Sequence, residues 1–88
     1  MDILKSKVSA AEVEKFFEGK KKNQAFVPDV DFEIPYALVQ DVNKQCFYVE
    51  PNGKGTATIY SLKTTEEKIE IFNKIRNFQW KIKIFKNV

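Results

Sequence analysis

The segment from Gln45 to Leu62 reads QCFYVEPNGKGTATIYSL, two runs rich in β-branched and aromatic residues on either side of a Pro-Asn-Gly-Lys-Gly punctuation. Such runs read as strands, and the punctuation as the turn of a β-hairpin. Pro51 presets φ for the second position of a type I turn, Asn52 suits the third, and Gly53 can take the left-handed conformation that follows. The reading is a three-residue loop closing on a bulge, with Glu50 opposite Lys54, Tyr48 opposite Thr56 and Phe47 opposite Ala57. Side chains alternate along a strand, so Phe47, Val49, Ala57 and Ile59 share one face and Cys46, Tyr48, Thr56, Thr58 and Tyr60 the other. The first face is read as core, the second as a surface rich in tyrosine and threonine.

Two helices flank this region. Ser9 with Glu12 forms a capping box, Val8 and Val13 stand where a hydrophobic staple belongs, and Gly19 is placed for a left-handed C-terminal cap, so a helix is expected over 8–19. Its apolar stripe is Ala10, Val13, Phe16 and Phe17. Thr64 with Glu67 opens a second helix over 64–77, with Ile69, Ile71, Phe72 and Ile75 as a broad apolar side.

The remaining strands are read from alternation within 26–62 and over 78–85. Phe26 to Ile34 sets Val30, Phe32 and Ile34 against Asp29, Asp31 and Glu33, bracketed by Pro28 and Pro35. Tyr36 to Val42 has ambiguous facing and ends in a turn near Asp41 to Lys44. Phe78 to Phe85 sets Phe78, Trp80, Ile82 and Ile84 against Lys81 and Lys83. The acidic face of the first and the basic face of the last predict that these two strands are neighbours. Lys20 to Gln24 reads as a polar connector. The expected fold is α+β, one domain over 1–88, order α-β-β-β-β-α-β, with a mostly antiparallel sheet and both helices on one face.

Composition narrows function by exclusion. The chain has 88 residues, 43% of them hydrophobic, one cysteine and no histidine. It packs a core without a disulfide framework, and the usual zinc spacings, Ser-His and Cys-His nucleophilic sites cannot be assembled. No Gly-rich phosphate loop of dinucleotide or P-loop spacing occurs among the three glycines. No catalytic residue, cofactor or metal site is expected, and the alternating acids are read as a guarded strand edge. Met1 to Val8 lacks an apolar signal core and no run is long enough to cross a bilayer, so the expected location is cytoplasmic, with no membrane partner.

The net charge of +3 is unevenly spread, since no acid occurs from Ile71 onward and all but one of the fifteen basic residues are lysine. The expectation is a non-enzymatic binding protein, an inhibitor or adaptor acting by contact with another protein. The alternative is sequence-nonspecific binding of single-stranded RNA or DNA. In that reading Tyr48 and Tyr60, with Thr56 and Thr58, form a stacking face, and Lys74, Arg76, Lys81, Lys83 and Lys86 contact phosphate.

Overall fold

The chain makes eight elements in the computed structural model, which describes residues 1–29, 33–78 and 80–84: β1 (Asp2–Ser9), α1 (Ala10–Glu18), β2 (Lys22–Pro28), β3 (Leu38–Asp41), β4 (Cys46–Pro51), β5 (Thr56–Leu62), α2 (Thr65–Arg76) and β6 (Trp80–Ile84). From α1 onward the order is the expected one. The six strands form one sheet in the order β1-β5-β4-β3-β2-β6, and every neighbouring pair is antiparallel.

β1 is an addition to the expected order. Its pairing with β5 slips between Ile3 and Lys5 and again between Lys5 and Val8, and Lys7 has a φ of 53°. Two irregularities in eight residues destroy the period of two that marks a strand in sequence.

The hairpin forms, with its loop displaced. Tyr48 stands opposite Tyr60, Val49 opposite Ile59 and Pro51 opposite Ala57, while the Asn52 N–H donates to the Thr56 carbonyl at 2.8 Å. The loop is therefore Gly53-Lys54-Gly55, not Pro51-Asn52-Gly53. Two glycines permit what one could not, because all three loop residues have positive φ, at 75°, 57° and 73°. Moving the loop by two residues is an even shift, so each side chain keeps the face expected of it.

Both capping boxes close as read. Glu12 N–H donates to Ser9 Oγ at 3.2 Å and Ser9 N–H to Glu12 Oε1 at 3.3 Å. The Thr64 and Glu67 pair repeats this at 3.1 and 3.2 Å. Gly19, however, keeps a φ of −80°, because Lys20 N–H bonds back to the Phe17 carbonyl and ends α1 in a tight right-handed turn.

The placement of the helices is the main correction. α1 buries Val13 and Phe17 against Phe47, Val49, Ala57, Ile59 and Val39, whereas α2 buries Ile71 and Ile75 against Cys46, Tyr48, Leu62 and Ala37. Alternation puts those two sets on opposite faces, so the helices sandwich the sheet instead of sharing a face. The face read as hydroxyl-rich carries Phe26, Leu38, Cys46, Tyr48, Tyr60 and Leu62, and aromatic bodies of that size demand cover whatever their tips can bond.

Around α1 the packing is aromatic. Phe17 meets Phe16, Tyr36 and Phe47 edge to face, with ring centroids 4.9, 5.6 and 5.8 Å away. Val39 belongs to this side and Leu38 to the α2 side, which settles the facing of β3. Asp41, nearly buried, accepts from the N–H groups of Asn43 and Gln45 at 2.9 Å each and so makes the turn into β4.

β2 begins at Lys22, so Lys22 to Gln24 are strand and not connector, and it pairs with β6 from Gln24 opposite Ile84 to Pro28 opposite Trp80. The two strands are neighbours as opposite charge predicts, with Lys81 Nζ 2.9 Å from Asp29 Oδ1. However, β2 ends at Pro28, so Asp29 lies just past it, Glu33 and Ile34 are not strand, and Lys81 and Lys83 stand opposite Val27 and Ala25. Residues 30–32 of the expected acidic strand lie outside the described residues, Asp31 among them. Among the described residues, no helix is long and apolar enough to cross a membrane.

Candidate functional site

The residues proposed as a stacking face are not on an open surface. Tyr48 is 5% exposed and Thr58 7%, and Thr56 and Tyr60 are half-buried. The two tyrosine rings stack on each other, 5.9 Å between centroids and 20° between planes, beneath α2. Lys74 closes the end of this stack. Its ammonium lies 5.7 Å from the Tyr48 ring centre and 2.8 Å from Glu50 Oε2, while Tyr48 donates its hydroxyl to the same carboxylate at 3.5 Å. Burial pushes the Tyr48 phenol up from its usual pKa, and the hydrogen bond to Glu50 raises that of Lys74. These groups have partners within the fold.

The other basic residues are scattered. Arg76 is exposed in the last turn of α2, and Lys81 is exposed but held by Asp29, whose hydrogen bond raises its pKa. Lys83 is located by its backbone, opposite Ala25 in the ladder, and Lys86 lies outside the described residues. The structure thus stacks Tyr48 and Tyr60 beneath α2, with Lys74 at the exposed end of the stack and Thr58 buried apart from it against Asn52, and leaves Arg76 and Lys81 on the surface.

A different surface is open. On the side of α2 that overhangs β2, Phe72 is 42% exposed and meets Phe26 edge to face at 5.4 Å. Phe78, 55% exposed just past the helix, meets Trp80 edge to face at 6.3 Å. Phe26, Phe72, Ile75, Arg76, Phe78 and Trp80 line one groove of 270 Å³. A second, of 190 Å³, continues along the helix over Phe26, Leu38 and Phe72, with Lys68 at its rim. Ile69, one turn before Phe72, adds a further exposed apolar side chain.

Sequence patterning held the signal for this patch, although Ile69, Ile71, Phe72 and Ile75 were grouped as one apolar side. At 3.6 residues per turn, Ile69 stands roughly 160° around the helix from Ile71, too far to share a buried stripe. Ile71 and Ile75 form the buried stripe, and Ile69 and Phe72 form a second one that stays largely exposed, Phe72 resting on Phe26.

Cys46 lies at the inner end of the second groove, 8% exposed, and burial raises its thiol pKa, which lowers its reactivity. Among the described residues, no three Cys, Asp or Glu side chains gather as a metal site. No family model matches the chain, and no curated protein or solved structure shows significant similarity to it.

Proposed function

We propose that the protein acts without catalysing a reaction, by contact with another protein through the aromatic surface beside α2, as an inhibitor or adaptor. The observation that supports this is the patch of Phe26, Phe72, Phe78 and Trp80, extended by Ile69 and edged by Arg76. Contiguous exposed aromatic surface is costly in water, and aromatic side chains with arginine are the residue types on which binding energy concentrates. The chain's lack of histidine, which removes the commonest general acid–base group, fits a role without chemistry.

The test compares capture of partners from host lysate by the wild-type chain and by a Phe72→Ser, Phe78→Ser variant with an unchanged circular dichroism spectrum. Loss of a specific partner in the variant is the expected result; identical capture by both, or none by either, removes the reading. The nucleic-acid alternative is separated by titrating single-stranded RNA and DNA at two salt concentrations. Phosphate-driven binding weakens steeply with salt because counterions are released. A steep salt slope, lost on Arg76→Ala, would replace the protein-contact reading.

A further inference from the structure

A second feature lies at the far end of the sheet, where β1 meets the β4–β5 hairpin. Lys5 pairs with Ile59 and Val8 with Ala57, so Ser6 and Lys7 together oppose the single residue Thr58. This two-against-one bulge interrupts the ladder and opens a cleft of 540 Å³ lined by Ser6, Lys7, Asn52, Gly53, Lys54, Thr56 and Thr58. Its size lies within the range of small-molecule sites. Thr58, 7% exposed, is the most deeply set lining residue and exchanges hydrogen bonds with Asn52 at 3.2 and 3.3 Å.

Backbone strain concentrates at this cleft. Among the described residues three non-glycine residues have positive φ, and two of them, Lys7 at 53° and Lys54 at 57°, line it from different parts of the chain. A left-handed conformation costs an ordinary side chain free energy that glycine does not lose, and such outliers cluster at binding sites. Both strained positions carry a cation where glycine would be the relaxed choice. No carboxylate lines the cleft, and neither lysine forms an ion pair among the described residues. The Glu33 carboxylate approaches Gly55 and is not among the residues that line the cleft.

From this coincidence of bulge, left-handed loop and two lysines in a cleft lined by no carboxylate we propose that the cleft binds the phosphate of a small phosphomonoester, with Lys7 and Lys54 as its cationic contacts and Ser6 and Thr56 as hydroxyl donors. Lysine supplies point charge to phosphate, and successive backbone N–H groups of a turn can converge on an anion. The volume exceeds what inorganic phosphate fills, so an ester is expected to bind more tightly than the free anion.

Amide NMR of the full chain, titrated with inorganic phosphate and with glycerol phosphate against chloride at equal ionic strength, tests the proposal. The expected result is saturable shifts at Lys7, Gly53, Lys54 and Gly55, with glycerol phosphate the tighter of the two. Lys7→Gly and Lys54→Gly should each lose about tenfold in affinity, the worth of one charge-assisted hydrogen bond. They should also melt no lower than the wild type, because glycine relieves the strain, and Lys7→Arg should retain binding. Shifts equal in chloride, shifts spread to Lys74 and Lys81, or affinity unchanged in the glycine variants would each overturn it. A fall in melting temperature on both glycine substitutions would do the same, since the lysines would then be structural.

Discussion

Two side chains, Ser9 and Glu67, each control a helix start through hydrogen bonds that reach only three residues along the chain. Ser9→Ala removes the acceptor for the Glu12 N–H, and loss of such a cap costs about 1 kcal/mol. A urea denaturation midpoint lowered by that free energy divided by the slope m, with m itself unchanged, is the expected result. Glu67 does more, because its carboxylate also holds the Met1 ammonium at 2.6 Å. That hydrogen bond, with those from Thr64, brings its pKa from 4.5 down to about 2. A carboxylate with a depressed folded-state pKa stabilises the fold fully above its ordinary value, and the contribution is lost as pH falls towards the depressed one. Glu67→Gln should therefore be less stable than the wild type at neutral pH, and the difference should close between pH 4.5 and about 2. Thermal melts across that range check it, and a difference independent of pH would refute the assignment.

At the scale of elements, α2 decides which surface is available. It covers the Tyr48 and Tyr60 stack with Ile71 and Ile75, and the same placement turns Ile69 and Phe72 outward. Cys46 reports on this arrangement, since its sulfur is buried beneath the helix and its thiol pKa is raised by that burial. Ile71→Ala should loosen the helix at a cost of about 2–5 kcal/mol and speed labelling of Cys46 by a thiol reagent. Labelling at the wild-type rate would mean that α2 does not guard the sulfur. Helical period separates two apolar stripes on α2 and does not say which of them faces the sheet. Ile69, Ile71, Phe72 and Ile75 are all apolar, and only the direction from which the sheet approaches decides which pair is buried.

For the molecule as a whole, the aromatic cluster under α1 is the expected point of failure. Phe17 is fully buried and touches rings from α1, β4 and the segment before β3, so Phe17→Ala should cost about 3–5 kcal/mol. Small domains hold only about 5–15 kcal/mol in total. Denaturant unfolding at neutral pH should therefore show this variant losing a large share of its stability; a loss below about 1 kcal/mol would show that the cluster repacks.

What the sequence by itself determined is what short-range chemistry decides: both capping boxes, the turn at Asp41, the facing of residues along β4 and β5, and the charge match that joins Asp29 to Lys81. These depend on hydrogen bonds within a few residues, on the period of the backbone, or on the sign of a charge. Only the tertiary structure decided that β1 joins the sheet, that the hairpin loop sits at Gly53-Lys54-Gly55, and that the helices take opposite faces. Each of those is a choice between arrangements with nearly equal local energy. The choice is made by burying the large side chains of both sheet faces at once, which no local segment can do alone.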